Sequence, residues 1–243
     1  MKKVFVYLCV FFLAAPVLMG MTGEEIVRKV DDKMERTGAL SKVDMKVFRK
    51  DKLRKTYRML MRSQGDEKIL VEFLYPPRNK GEKFLKVKEH MWIYRPKINK
   101  VIRISGRSSF SGSDFSNTDI LAVRLDKDYT ARLLGEEDFN GELSYKLELL
   151  AKSEEVTYAK IIYWVRKKDL VPLKRDFYTL SGHLLKTLLL EVRTEIFDGL
   201  PDTLIMSNIL EKNKKSVMHF VGYKPNQSFP AKTFRKNSLQ RKR

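Results

Sequence analysis

Ser111, Ser113 and Asp114 bring two hydroxyls and a carboxylate together in a short Ser-Gly-Ser-Asp run, a pattern that could serve nucleophilic chemistry. The run lacks the strand–turn–helix setting in which a Gly-x-Ser-x-Gly elbow exposes its serine. The three histidines of the chain stand apart from one another, and no pair of them has the spacing of metal ligands. We therefore predict a protein that is not an enzyme, with no catalytic residue, no metal and no cofactor.

Two predicted strands precede this run and must position it. An aromatic strand from Met91 to Tyr94 ends before Pro96, because proline fixes its own φ and donates no backbone hydrogen bond. A second strand, from Lys100 to Ser105, leads into the run. Alternation along this strand predicts that Ile102 and Ile104 share one face.

The segment 106–118 is flexible by composition, since it is rich in serine and glycine. It nevertheless carries Phe110 and Phe115, two rings that favour burial. A short helix, capped by Thr118 or Asp119, is predicted to follow. The composition allows two interpretations: a lid over an apolar site, or a surface loop whose rings pack on the edge of the sheet.

The first twenty residues have the pattern of a secretory signal peptide. Lys2 and Lys3 form a basic start, an apolar run from Val4 to Leu13 follows, and small residues lead to Gly20. The apolar stretch approaches the roughly 20 residues that span a bilayer, so a retained anchor is the alternative. Pro16 within the stretch favours cleavage near Gly20. We therefore expect an exported, periplasmic protein.

The chain is strongly basic, with a net charge of +19. Such an excess could bind nucleic acid, but export makes anionic phospholipid headgroups the available polyanions. Lys42, Lys46, Lys86 and Lys88, on polar strand faces, would then hold the protein near an anionic membrane surface, at roughly 1 kcal/mol per basic residue. A solvated exterior is the alternative. We predict no nucleic-acid partner.

The rest of the chain follows the two periods of regular structure. Thr22 and Glu25 form a capping box before apolar residues at helical spacing, which predicts a helix from Gly23 to about Arg36. Beyond this helix the period changes to two, and turn pairs such as Asn140-Gly141 separate the runs. The pattern predicts about ten or eleven antiparallel strands with two or three helices.

Each predicted strand has an apolar face and a face rich in lysine and arginine, so the apolar faces line one side of the sheet. That side must be covered, either by a second sheet or by curling of the sheet around a helix. A barrel of about eight strands can already hold a small ligand. From the residues alone, the interior is either a packed core or a cavity partly open to an apolar guest.

Five motifs together point to a known family. They are Gly81-Glu-Lys-Phe84, Met91-Trp-Ile-Tyr-Arg-Pro96, Val101-Ile-Arg-Ile104, Gly112-Ser-Asp-Phe-Ser-Asn117 and Asp198-Gly-Leu-Pro201. With these motifs the chain resembles the outer-membrane lipoprotein-sorting proteins, within the LolA/LolB-like superfamily of periplasmic lipoprotein carriers. The resemblance covers roughly Gly23 to Lys224.

The resemblance implies an α+β, β-rich fold: an incomplete antiparallel β-barrel curled around an N-terminal helix and a short lid helix. Together with the signal-peptide pattern and the basic end of the chain, it divides the chain into a signal peptide over 1–20, a half-barrel domain over 21–224 and a basic C-terminal tail over 225–243. It also favours a cavity over a plain core. The candidate ligand-binding residues are Val71, Phe73, Tyr75, Leu85, Val87, Trp92, Ile102, Phe110, Phe115, Ile161 and Tyr163.

The function that the resemblance implies is a non-enzymatic, monomeric carrier or chaperone. It would bind lipid or lipoprotein acyl chains in the apolar cavity for transfer towards the outer membrane. The alternative is an envelope accessory module that carries no cargo. Such a module would dock on an inner-membrane transporter that exports lipid, or on an anionic leaflet.

Overall fold

Thirteen strands and three short α-helices make up most of the computed structural model, which describes residues 20–35, 38–121, 124–211 and 213–240. Residues 1–19 of the predicted signal peptide and residues 241–243 of the predicted tail lie outside the described residues, as does Arg36 at the predicted helix end. Within the described residues, no helix combines the length and apolarity that a membrane span requires.

The helices and strands follow one another in a simple order. The helices are α1 (Gly23–Met34), α2 (Asn117–Leu121) and α3 (Leu125–Asp128). The strands are β1 (Ala39–Arg49), β2 (Lys52–Gln64), β3 (Lys68–Tyr75), β4 (Lys83–Val87), β5 (His90–Arg95), β6 (Lys100–Arg103), β7 (Tyr129–Phe139), β8 (Glu142–Ala151), β9 (Lys160–Arg166), β10 (Pro172–Tyr178), β11 (Leu184–Glu191), β12 (Thr203–Asn208) and β13 (Lys214–Lys224).

All thirteen strands form one antiparallel sheet in the order β6-β5-β4-β3-β2-β1-β13-β12-β11-β10-β9-β8-β7. Every neighbouring pair except β1 and β13 is consecutive in the chain, so short turns connect most of the sheet. The sheet is curled but unclosed, and β6 and β7 are its two edges. The predicted β-rich incomplete barrel is therefore confirmed.

The predicted count of ten or eleven strands was too low, and β7 is a strand that the sequence did not reveal. Only the first part of this edge strand alternates, with Tyr129 buried and Leu133 packed on the core. A register shift between Leu133 and Gly135 then breaks the alternation, and three acidic residues follow. An edge strand that is half exposed and bulged carries little of the period-two signal.

The concave face of the sheet carries the main core, and α1 packs on it. Ile26, Val27 and Val30 of α1 are fully buried. The capping box is present as predicted: the Glu25 amide donates to Thr22 Oγ1 at 3.2 Å, and the Thr22 amide donates to Glu25 Oε2 at 2.8 Å. The helix covers one part of the concave face and leaves the rest to be covered by other segments.

The second predicted helix is capped by a different residue than expected. The Asp119 amide donates to Ser116 Oγ at 3.2 Å, and the Ser116 amide donates to Asp119 Oδ2 at 2.7 Å. Ser116 therefore caps α2, in place of Thr118 or Asp119, and the reciprocal pair has the logic of a capping box. A separate helix, α3, begins after Arg124.

The convex face of β3–β6 is also apolar, and the end of the chain covers it. Leu70, Leu85 and Tyr94 pack there with Phe234 and Leu239 in a second hydrophobic cluster. Phe234 and the residues around it form two 3₁₀ turns, Ala231–Phe234 and Lys236–Ser238. Phe229, Phe234 and Leu239, within the segment predicted to be a basic tail, thus pack against the sheet.

This covering corrects three predicted positions. Leu85, Val87 and Trp92 were expected on the concave face, but they lie on the convex face against the C-terminal segment. The alternating lysines of β4 suggested that Leu85 points inward, whereas Phe84 does. Alternation cannot orient a strand whose two faces are both covered.

The same parity error misplaced Lys86. It pairs with Ile69 and Met91, both in the concave core, and its Nζ donates to the Asp66 carbonyl at 2.9 Å. Burial lowers the pKa of Lys86. Of the four lysines predicted for a basic outer face, the placement of Lys86 is therefore wrong, while Lys42, Lys46 and Lys88 are exposed.

Tyr75 is placed outside by a bulge. Met59 pairs with Phe73 on the concave face, but Arg58 pairs with Tyr75, so the register skips one residue of β3. The skip reverses the parity, as a bulge does. Tyr75 is 41% exposed and lies under the guanidinium of Arg58, 5.2 Å from the ring centroid.

We predict that the C-terminal segment is part of the cooperative fold. Phe234→Ala should lower the free energy of unfolding by about 3 kcal/mol, because it empties a buried site between Leu85 and Tyr94. Lys232→Ala, an exposed change in the same turn, should alter it by less than about 0.5 kcal/mol. Urea unfolding measures both. Equal stability of the two variants would mean that the segment is not part of the folded unit.

Candidate functional site in the concave interior

The serine-rich segment crosses the concave face instead of lying on the surface. We call residues 106–118 the plug loop. Ser109 bridges Ser116, and the Phe110 amide donates to the Phe115 carbonyl at 2.9 Å, so the middle of the loop is a compact hairpin. Both rings are 0% exposed. The loop therefore fills the interior with its own side chains.

Phe110 joins an aromatic cluster on β2–β4. The Phe110 and Phe84 centroids are 4.5 Å apart, and the Phe110 and Phe73 centroids are 5.8 Å apart. Tyr57 meets Phe73 edge-on at 5.3 Å. Such tilted and edge-on contacts add about 0.5–1.5 kcal/mol per pair beyond the burial of area. The plug loop is thus packed as core.

Asp114, in the middle of the family motif, anchors the loop to the sheet. Its carboxylate is 1% exposed and lies 2.8 Å from Arg49 Nη1. Ser216 Oγ on β13 donates to Asp114 Oδ2 at 2.6 Å and accepts from the Asp114 amide at 3.0 Å. Lys186 Nζ donates to the Asp114 carbonyl at 2.7 Å. Three strands therefore hold one residue of the loop.

The structure separates the eleven candidate residues into three groups. Val71, Phe73, Phe110, Phe115, Ile161 and Tyr163 lie together in the concave core. Leu85, Val87 and Trp92 lie on the convex face, as described above. Tyr75 and Ile102 are exposed, and Ile102 is 44% exposed on the short edge strand β6, where it pairs with the inward Ile93.

A cavity of about 150 Å³ remains inside the sheet, beside α1 and α2. Most of its lining is apolar: Met34, Met61, Ile69, Ile120, Leu188, Leu190, Pro201, Leu204, Met218 and Phe220. Glu35, Asp66, Asp119 and Arg175 add charge to the lining. An apolar cavity of this size holds a guest of roughly benzene size. The interior as it stands is therefore mostly plugged core, with a smaller cavity beside it.

Arg175 places a guanidinium among apolar side chains of the concave face. It pairs with Tyr163 on β9 and Leu188 on β11, and its Nη2 donates to Tyr163 Oη at 3.2 Å. Its Nε is buried and has no hydrogen-bond partner among the described residues. A buried donor without a partner is costly, which marks the position as a feature to be explained by function.

Carboxylates on α1 and α2 face this arginine. Burial opposes the charge of Arg175, but Tyr163, Asp31 and Asp119 together hold its pKa above the ordinary value. Asp31 accepts from the amides of Leu125 and Asp126, at 2.6 and 2.8 Å. The charges thus connect the sheet with the helices that cover it.

The two carboxylates are themselves perturbed by their surroundings. Burial raises the pKa of Asp31 from 3.8 to about 7. Burial also raises the pKa of Asp119, although the Tyr158 hydroxyl donates to its Oδ2 at 2.9 Å. Within the described residues, no group of His, Cys, Asp and Glu could hold a metal ion.

Two functional features were missed from the sequence. Arg175 occupies an apolar position in the alternation of β10, between Leu173 and Phe177, and an arginine at such a position is a signal that could have been used. Asp114 was considered as part of a nucleophile, whereas its partners are Arg49 and Ser216, distant in the chain. No local pattern announces those contacts.

Comparison with known proteins agrees with this fold. A family model described as "Uncharacterized protein" matches residues 65–241. No curated protein sequence matches the chain. Sixty-four chains of solved structures match it.

Three solved structures are similar over nearly the whole chain, each with a TM-score of 0.80 and 90% of this chain covered. A LolA superfamily protein from Nitrosomonas europaea is 28% identical, with 99% of its own chain covered. A domain described as an outer membrane lipoprotein-sorting protein, from Vibrio parahaemolyticus, and a DUF1329 family protein from Desulfovibrio piger are each 26% identical, with 98% covered. The chain belongs to the matched family, within the LolA-like superfamily of outer-membrane lipoprotein-sorting proteins, as its motifs predicted.

We predict that the Asp114 anchor holds the plug loop in place. Asp114→Asn should lower the free energy of unfolding by about 2 kcal/mol, because it leaves the partly buried Arg49 without its counter-charge. It should also speed amide hydrogen exchange in residues 106–118. Asp51→Asn, an exposed carboxylate in the next turn, is the matched control and should change neither. Unchanged exchange in the loop of Asp114→Asn would contradict the anchoring role.

We predict a pH dependence that comes from Asp31. Because its pKa is about 7 in the folded state and 3.8 ordinarily, the folded protein binds the extra proton between these values. Asp31 therefore contributes most to the free energy of unfolding below pH 4. This contribution declines as the pH rises to 7, by an amount on the order of 2–4 kcal/mol. Thermal unfolding of wild type and Asp31→Asn across pH 4–8 isolates the contribution of Asp31 from that of the neighbouring carboxyl of Asp126. Parallel curves for the two proteins would refute it.

Proposed function

We propose that the protein is a non-enzymatic carrier that shelters an acyl chain of a lipid or lipoprotein in its concave interior. The observation that carries the proposal is the plug loop: two aromatic rings occupy the apolar interior, and a few polar contacts around Asp114 hold them there. A loop that fills an interior in this way can leave it when another apolar group takes its place. The likeness to a domain described as lipoprotein-sorting supports the same role.

The energies of the exchange favour a long chain. Fully burying a phenylalanine side chain stabilises by up to about 3 kcal/mol, so both rings contribute about 6 kcal/mol. Each buried methylene contributes about 0.8 kcal/mol. A chain of roughly eight or more methylenes therefore offsets the removal of Phe110 and Phe115, whereas a shorter chain does not.

In this proposal the cavity beside α1 and α2 supplies existing apolar space for the guest. Its apolar lining continues into the core of β11–β13, and three of its residues are methionines, whose flexible thioether chains adapt to varied guests. The charges of Asp31, Asp119 and Arg175 link the covering helices to the sheet. Separation of these charges would accompany opening of the interior.

The remaining parts of the proposal concern place and partners. The signal-peptide pattern at residues 1–20 supports a periplasmic location, and transfer would be directed towards the outer membrane. The exposed Lys42 and Lys46 support contact with an anionic leaflet. Docking on an inner-membrane lipid transporter without cargo is the competing function, and the absence of acyl binding would favour it.

The test is uptake of a pyrene-labelled fatty acid methyl ester, an uncharged acyl probe. The wild type should take up the probe. Leu188→Trp fills the cavity and should abolish this uptake with little loss of stability, since the added ring enters existing space. A fully packed core would instead lose roughly 1–3 kcal/mol by overpacking. Leu180→Trp adds the same ring at a position that is 92% exposed and should leave uptake unchanged.

Release of the anchor provides an independent readout. Asp114→Asn should take up the same probe faster than the wild type, because the plug loop leaves the interior more often. If the wild type takes up no probe, and Leu188→Trp only unfolds the protein, the interior is plain core and the carrier function is wrong.

A further inference from the structure

A second pocket, of about 500 Å³, lies between the plug loop and the β2–β5 part of the sheet. Apolar side chains such as Phe84 and Ile93 form its floor, and Lys55, Arg78 and Arg95 form its rim. The volume lies within the range of small-ligand sites. The pocket shares no lining residue with the cavity beside α1 and α2, so it is a separate site.

The rim offers positive charge that the protein does not use. Arg95 Nη1 lies 2.7 Å from Glu82 Oε1, so this cation is paired. Lys55 and Arg78 line the same pocket and form no ion pair within the described part of the chain. Burial raises the pKa of Tyr57, on the same wall, and the charge of Arg78 opposes that shift. Two cations therefore remain available to an anion.

Two asparagines offer the opposite kind of group. Asn117 Nδ2 donates to the Ser105 carbonyl at 2.7 Å, and Asn79 Nδ2 donates to Glu82 Oε2 at 3.0 Å. These bonds fix the orientation of both amides. Each Oδ1 is then a buried acceptor without a partner in the described structure, and both asparagines line the pocket. An acceptor cannot bind an anion, so it calls for a hydrogen-bond donor. Beside the two cations Lys55 and Arg78, an uncharged hydroxyl fits this need better than an ammonium group.

We infer that this pocket binds the headgroup of an anionic phospholipid whose phosphodiester carries a hydroxylated substituent, of the phosphatidylglycerol kind. Lys55 and Arg78 bind the phosphate, the Asn79 and Asn117 carbonyls accept from the headgroup hydroxyls, and the apolar floor takes the first carbons of the chains.

The position of the pocket connects it with the interior. Phe84 forms its floor and packs against Phe110 in a tilted contact with the ring centroids 4.5 Å apart, so the chains of a bound lipid meet a ring of the plug loop first. The inference thus rests on the proposed carrier function and names the class of its cargo. A lipid with short chains would fill the headgroup pocket without displacing the plug loop.

The experiment is calorimetric titration with dihexanoyl lipids below their micelle concentration. Dihexanoyl phosphatidylglycerol should bind at least tenfold more tightly than dihexanoyl phosphatidylcholine, and binding should weaken with salt. Arg78→Gln and Lys55→Gln should each weaken it by about tenfold, the effect of one charge-assisted hydrogen bond. Arg54→Gln, a neighbouring exposed cation outside this pocket, should leave affinity unchanged. Uptake of the uncharged pyrene ester should be unaffected in all three variants.

Two further probes separate the sources of the headgroup chemistry. Dihexanoyl phosphatidylmethanol has the same charge and no headgroup hydroxyl, so equal binding to phosphatidylglycerol would overturn the role of the asparagines. Equal binding of sn-glycerol 3-phosphate would assign the pocket to a soluble phosphate ester and overturn the lipid.

If the pyrene ester enters but no headgroup preference exists, the inference fails and the carrier function stands. If short-chain phosphatidylglycerol binds but the pyrene ester does not, the headgroup site stands without a carrier interior.

Discussion

The structure depends on one constraint: the concave face of a thirteen-stranded, unclosed sheet must be kept from water. Alternation places every second side chain of each strand on that face, and α1 contributes only a few buried residues to cover it. The plug loop covers the rest, with Phe110 and Phe115 as its buried rings. A loop that enters an apolar interior must satisfy its backbone there, and this requirement explains the polar anchors around Asp114.

The polar anchors and the aromatic rings of the plug loop hold the loop in the interior by different kinds of interaction. The rings contribute non-directional burial, which an acyl chain can replace almost group for group. The Asp114–Arg49 pair and the Ser216 hydroxyl contribute directional contacts, which an acyl chain cannot replace. Under the proposed carrier function, the directional contacts would set how readily the loop leaves, and the burial would set what can take its place. This division would let one fold be stable without a guest and still accept one.

Local patterns predicted the elements better than they predicted their faces. The capping box of α1 and the period-two strands are short-range features, and both are present. The inward residues of β4 were wrong because the C-terminal segment, more than 140 residues later, makes the convex face apolar as well. Tyr75 was wrong because a bulge in β3 reverses the parity, and its cause lies in pairing with β2. Which side chains of a strand point into the concave interior depends on what covers the strand, and the strand's own residues do not encode that.

The sequence predicted an apolar interior but not the arrangement of the side chains that fill it, for a related reason. Composition shows that Phe110 and Phe115 favour burial, yet only the distant Arg49, Lys186 and Ser216 determine where the loop is buried. The motif that carries the family resemblance is the segment that contains this anchor. A signature centred on Asp114 is then a signature of how the interior is closed, and it does not by itself specify what the interior holds. In the inferred headgroup site, cargo choice would depend on Lys55, Arg78 and Asn79, which lie outside the motif, together with Asn117 at its end.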